Sequence, residues 1–207
     1  MKQVKRILII VTGILCFGAC SDGKISKKVL NETIKQLTYL GGEGFTTTPF
    51  PIKEFTLIGN RPQLRDSRKF LIPPEITIEQ LQELEKKGVL TLEIKQQEGK
   101  KSQVCVELTP KGEKLLDSDQ TLDMGGITLV QVKTYSVKPG KITKIEYFEE
   151  YGKGTCYYSI LYNEVTPFGE ILKGAKPGKV QMDDKMDLRK NKQGEWETYT
   201  ILDYMAK

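Results

Sequence analysis

Histidine is absent from the 207 residues of this chain. It is the commonest general base in enzymes and a common metal ligand, so its absence excludes Ser-His-Asp and Cys-His catalysis and His-ligated zinc. Cysteine is scarce as well, with four residues. We therefore expect no metal, no cofactor and no enzymatic activity.

A strong excess of charge is also lacking. Lysine and arginine total 32 against 27 acids, and three of the bases lie in the acid-free residues 1–19, which leaves 29 bases against 27 acids, or +2. Nucleic-acid binding requires a basic surface, so no nucleic-acid partner is expected. The hydrophobic content of 38% is that of an ordinary folded protein.

The first twenty residues have the three parts of a secretion signal. Residues 1–6 are basic, residues 7–17 are apolar, and the small Gly18 and Ala19 precede Cys20. The apolar run of about 11 residues is shorter than the roughly 20 that a membrane-spanning helix needs. We therefore predict cleavage rather than a permanent transmembrane segment.

The sequence Phe17-Gly18-Ala19-Cys20 resembles the lipobox of bacterial lipoproteins, although leucine usually stands where this chain has Phe17. The resemblance implies cleavage before Cys20, diacylation of its thiol and stable membrane anchoring, since two acyl chains hold a protein firmly. Ser21, in place of aspartate, favours the outer membrane over the inner membrane by analogy with enteric sorting. Together with a Lys-rich mature chain, this signal is similar in style to Bacteroides-type envelope lipoproteins. The alternative is an apolar N-terminal segment that merely contains Cys20.

Only two cysteines remain after such processing, Cys105 and Cys156. A disulfide between them is one interpretation, because an exported chain meets oxidising conditions. Two separate thiols are the other, because Cys105 shares its strand face with the polar Gln103 and Glu107, whereas Cys156 shares its face with Tyr158 and Ile160 on an apolar side.

The chain divides into a signal peptide (1–19), a tether (20–25), a mixed helical half (26–117) and an antiparallel β half (118–207), packed as one unit. The first half contains a helix over 26–40, an irregular connection over 43–76 and a second helix whose capping box is Thr77 and Gln80. The strands predicted in the second half are Ile127–Val137, Ile142–Tyr151, Thr155–Tyr162, Lys179–Leu188 and Trp196–Tyr204. We identify no internal repeat.

Residues 77–116 resemble the winged-helix module of bacterial transcription regulators. The motif is Leu81-x-x-Leu84-x-x-x-Gly88-Val89, a hairpin, and Val106-x-Leu108-Thr109-x-Lys111-Gly112-x-x-Leu115. The fold class predicted is therefore α+β, with a helical, winged-helix-like N-terminal half followed by an antiparallel β-meander or small open barrel. The helix that would enter DNA carries three glutamates against two lysines, so we expect the scaffold without the DNA-binding role.

The densest basic cluster is formed by Arg61, Arg65, Arg68 and Lys69. It is a candidate site for an anionic glycan, a phosphate or a lipid head group, and a solvated basic loop is the alternative.

Acidic and aromatic residues supply further candidates. The three aspartates considered for calcium, Asp183, Asp184 and Asp187, lack the surrounding loop that calcium sites have. The late aromatic residues are a candidate glycan or peptide platform if they share one sheet face, and core residues otherwise. The aromatic set is Tyr147, Phe148, Tyr151, Tyr157, Tyr158, Tyr162, Phe168, Trp196, Tyr199 and Tyr204.

The function predicted is that of an exported, lipid-anchored envelope lipoprotein with a non-catalytic binding or structural role. Its partners would be the membrane, through the N-terminal lipid, and a glycan or another envelope protein. Two alternatives stay open. One is an envelope-polymer hydrolase that uses carboxylates alone, for which Glu146, Glu149 and Glu150 are the acids considered. The other is a winged-helix DNA-binding protein, if the signal is not cleaved.

Overall fold

The computed structural model of the protein describes residues 24–39, 44–64, 74–99 and 101–200. Within these ranges the helices are α1 (Lys27–Thr38), α2 (Ile78–Lys86), α3 (Pro110–Glu113) and α4 (Pro167–Lys173), with a 3-10 turn at Glu149–Tyr151. The strands are β1 (Thr46–Ile58), β2 (Arg61–Pro62), β3 (Leu90–Glu98), β4 (Lys101–Leu108), β5 (Leu116–Met124), β6 (Ile127–Phe148), β7 (Lys153–Val165), β8 (Val180–Lys190) and β9 (Trp196–Tyr199).

All nine of these strands belong to one antiparallel sheet, in the order β3-β4-β1-β6-β7-β8-β9, with β2 beside β1 and β5 beside β6. The 22-residue strand β6 lies at its centre. Its first half pairs with β1 and its second half with β7, and Tyr135 pairs with both. β1 and β7 therefore lie on opposite edges of β6.

The predicted helical, winged-helix-like N-terminal half is wrong. A helix, a hairpin and a short helix do occupy residues 77–116, as α2, β3–β4 and α3. However, β4 also pairs with β1, from Lys53 opposite Val106 to Ile58 opposite Lys101. The hairpin is thus part of the nine-stranded sheet and does not project as a free wing.

The segment predicted as irregular contains the 13-residue strand β1. Pro49 and Pro51 argued against a strand in the sequence, because proline cannot donate a ladder hydrogen bond. Over 46–52, β6 is the one strand among the described residues that pairs with β1. Alternate N–H groups there need no partner on a neighbouring strand, so two prolines two residues apart are tolerated.

β1 changes partner from β6 to β4 at Lys53, which has a φ of 66°. This left-handed conformation costs a lysine roughly 1 kcal/mol. It also reverses which side chains are buried, from Thr48 and Phe50 before it to Phe55 and Leu57 after it. Lys53 therefore lets one strand serve two parts of the sheet.

The predicted break between two strands at Pro139-Gly140 is also wrong, because β6 continues through it. The irregularity is absorbed by register shifts on both sides of the dipeptide. Gly140 is required there, since a Cβ would lie 2.3 Å from the Ser159 hydroxyl oxygen. That oxygen accepts a hydrogen bond from the Lys141 N–H at 3.1 Å.

An internal repeat that sequence reasoning missed is Thr-Pro-x-Gly-Glu, at 109–113 and 166–170. Each copy follows a hairpin and caps a short helix, with the threonine hydroxyl accepting from the glycine N–H at 3.2 Å. Each threonine N–H donates to the first strand region of its hairpin, to the Val89 carbonyl at 3.1 Å and to the Thr134 carbonyl at 2.9 Å. We call β3, β4 and α3 the first unit, and β6, β7 and α4 the second unit.

The buried side chains form two cores. The first core packs α2 and α4 against β1, β3, β4 and the first half of β6, with Leu81, Leu84 and Phe168 fully buried. The second core packs α1 against β7 and β8, where Leu30 and Ile34 cover the buried Tyr158. Because β6 contributes side chains to both, it joins them.

Candidate functional site

The predicted site residues are described only in part. Cys20, Arg65, Arg68 and Lys69 lie outside the described residues. Arg61 is exposed on β2, where its Nε donates to a carboxylate oxygen of Glu75 at 2.9 Å and its Nη2 donates to the same oxygen. Its charge is therefore already paired within the fold.

The two remaining cysteines are free thiols. Cys105 lies on β4 and Cys156 on β7, and β1 and β6 separate these strands. The three strand spacings alone put at least about 14 Å between them, whereas a disulfide needs Cα atoms within about 7 Å. Burial raises the pKa of Cys156 to about 11, so its thiol stays protonated and unreactive at neutral pH.

Two of the acids considered for catalysis or metal binding, Glu146 and Asp184, are engaged in other interactions. Glu146 binds the Lys144 ammonium at 2.5 Å, and this bond holds the pKa of its carboxyl below the ordinary value, opposite to the shift a general acid needs. Asp184 accepts from the Tyr158 hydroxyl at 3.1 Å. Across the described ranges, no three acidic or cysteine side chains are grouped as a metal would require.

The late aromatic residues do not share one face. Tyr158 and Phe168 are in the two cores, whereas Phe148 and Tyr151 are exposed at the connection between β6 and β7. Tyr147 and Trp196 pack edge to face, with ring centroids 4.7 Å apart. Tyr204 lies outside the described residues.

The best candidate site is a groove between α1 and the open edge of β6. β1 pairs with that edge only as far as Tyr135, and in the described part of the chain no strand covers it from there to Phe148. α1 lies alongside and leaves an open groove of about 610 Å³. The lining residues are Lys27, Asn31, Gly140, Lys141, Ile142, Thr143, Lys144 and Ile145.

The groove is lined by three lysines, with the polar Asn31 and Thr143 and the apolar Ile142 and Ile145 among the other lining residues. Lys144 is held by Glu146, and this bond raises the pKa of its ammonium. Lys27 and Lys141 are exposed and have no acidic partner within 4 Å among the residues that the structure describes. Their ammonium groups can therefore bind an anion or a sugar hydroxyl.

The open edge is protected against pairing with another strand. It carries Pro139, Lys141 and Lys144, and β6 has three register shifts against β7 in this stretch; prolines, lysines and such irregularities are the features that natural sheets use to prevent edge-to-edge association. The groove therefore suits a ligand recognised by side chains better than an added β-strand.

Sequence reasoning missed this groove, because its two walls are more than a hundred residues apart in the chain. The one local signal is Pro139-Gly140-Lys141, which is typical of a turn between the two strands predicted on either side of it.

The chain matches no protein-family model, no curated protein and no solved structure. Among the described helices, none combines the length and apolar character needed to cross a membrane.

Proposed function

We propose that this protein is an exported lipoprotein, anchored through acylated Cys20 to the outer membrane of the cell envelope. The observation that carries the proposal is the order of basic residues, short apolar run and Phe17-Gly18-Ala19-Cys20. The start of the fold is compatible with a tether. Ser26 caps α1 by accepting from the Val29 N–H at 3.3 Å, six residues after Cys20.

The folded part acts as a non-catalytic binding module for an acidic envelope glycan. The support is the groove beside β6, where Lys27 and Lys141 offer positive charge and Asn31 and Thr143 offer polar groups. Charge-assisted hydrogen bonds to carboxylates or phosphates are stronger than neutral ones, so this set favours an acidic polymer over a neutral one.

A DNA-binding role receives no support from the placement of α2. Gln80 on this helix donates to the Ile171 carbonyl of α4 at 3.3 Å. Lys87, just beyond the helix, forms an ion pair with Glu170 at 2.9 Å. The surroundings of α2 are thus engaged with α4 inside the same chain.

Intact mass of the protein purified from membranes of its native host tests the anchor. We expect a chain that begins at Cys20 and carries added acyl mass. Cys20→Ala should abolish the added mass, and Cys105→Ala is the matched control that should retain it. An uncleaved, unacylated wild-type chain would show that the anchor proposal is wrong.

Titration of the purified full chain with polygalacturonate, and with neutral dextran, tests the groove. We expect binding of the acidic polymer only, and about tenfold weaker binding for the Lys27→Gln/Lys141→Gln double variant. Lys114→Gln, an exposed lysine beside α3, is the control. Equal affinity of the double variant and the control would remove the groove from the proposal.

A further inference from the structure

The connection between β6 and β7 exposes two aromatic rings. Phe148 is 49% exposed and Tyr151 is 74% exposed, on either side of the exposed Glu149 and Glu150. Glu149 is neutralised by the Lys190 ammonium at 2.7 Å. Two exposed rings this close together in the chain are a candidate contact surface, because exposed apolar patches, unlike single exposed side chains, mark interaction sites.

The same end of the fold holds the first described residues of the chain. The Lys24 ammonium lies 5.6 Å from the ring centroid of Tyr147, which precedes Phe148. Ile25 and Tyr147 also pack together against the second core. The chain therefore leaves the tether and enters the fold next to the two exposed rings.

The covalent reach of the tether is short. Lys24 lies four positions after Cys20, so their Cα atoms are at most about 14 Å apart when the chain is fully extended. Acyl chains on Cys20 would place it at the boundary between head groups and hydrocarbon. This end of the fold must then lie within a similar distance of the bilayer.

We infer that the end bearing Phe148 and Tyr151 rests on the bilayer that holds the anchor, with both rings in its interfacial region. The inference rests on the proposed lipid anchor. Aromatic rings are favoured at the level of the head groups. Lys24, Lys153 and Lys192 lie on or beside the same end and are attracted to anionic lipids. The lipid thus orients the protein as well as retaining it.

Fluorescence quenching by brominated lipids tests this orientation. The acylated full chain is purified from host membranes and reconstituted in vesicles of phosphatidylglycerol and phosphatidylcholine, with and without bromine on the acyl chains. The emission that Tyr151→Trp adds to that of Trp196 in the wild type should be lost in the brominated vesicles. Leu122→Trp is the control, because Leu122 is 55% exposed on β5 and pairs with Leu129 near the other end of β6.

Phe148→Trp provides a second probe at the same end, in case one substitution perturbs the fold. Loss of the added emission at positions 148 and 151, which we call the tip, and not at position 122 supports the inference. An acylated protein with no loss at the tip, or an equal loss at position 122, overturns the orientation and leaves the anchor standing. Absence of acyl mass in the purified wild type overturns both.

Discussion

The first and second units use the same helix motif in different surroundings. In both, a Thr-Pro-x-Gly-Glu helix closes a hairpin and its glycine lies against a backbone carbonyl, of Val89 in one and Thr134 in the other. The residue after the proline differs, since Lys111 is exposed and Phe168 is fully buried. The motif therefore defines how the helix joins its hairpin, and the variable position decides whether the helix also builds a core.

The largest expected effect comes from this variable position. Phe168→Ala should reduce the free energy of unfolding by about 3–5 kcal/mol, because it removes a buried ring that packs on Phe50. Lys111→Ala should cost less than about 1 kcal/mol. Urea unfolding of both variants measures the difference, and similar losses would show that the two units contribute equally to the core.

A smaller effect is expected at the shared glycines. A Cβ on Gly169 would lie 2.1 Å from the Thr134 carbonyl oxygen, and one on Gly112 would lie 1.9 Å from that of Val89. Because the neighbouring atoms are backbone, Gly169→Ala and Gly112→Ala should each destabilise the protein by about 1–3 kcal/mol. Lys173→Ala, at an exposed position of α4, is the control. If only one glycine variant loses stability in thermal unfolding, the two helices do not dock equivalently.

The smallest expected effect is a pH dependence of the stability, and it arises from Cys156 in the second core. The pKa of Cys156 is raised by burial to about 11, so the folded state keeps a proton that the unfolded state loses near pH 9. Stability is then fully present below pH 9 and falls by on the order of 1–2 kcal/mol as the pH rises to 11. Cys156→Ala should lose less stability over this window than Cys105→Ala, and the same slope in both variants would exclude Cys156 as its cause.

Local signals in the sequence were sufficient for some elements. The Thr77 and Gln80 capping box predicted α2, and both of its hydrogen bonds are present, at 3.0 and 3.2 Å. The motif at 166–170 carries a similar cap, in which Thr166 precedes a proline at the first helical turn, yet α4 is not among the predicted elements. The repeat was therefore legible in the sequence, and comparing 109–113 with 166–170 would have revealed it.

Other features depend on contacts between distant residues. Pro49, Pro51 and Pro139 are strand breakers in any local interpretation, and they are tolerated because β1 and β6 each have an edge without a strand partner in the described part of the chain. The groove likewise requires α1 and β6 to be brought together. The residue spacing within α1 or within β6 does not indicate that the two elements lie side by side.

The central position of β6 also determines when the chain can fold during its synthesis. β1, β3 and β4 are synthesised first, yet the first core needs Val132 of β6 and Phe168 of α4. The second core forms later still. Leu30 and Ile34, near the start of the described chain, can be buried in it only after Met186 and Leu188 of β8 have been synthesised. A nascent chain that stops before β6 can complete neither core, so folding is deferred until synthesis is almost finished.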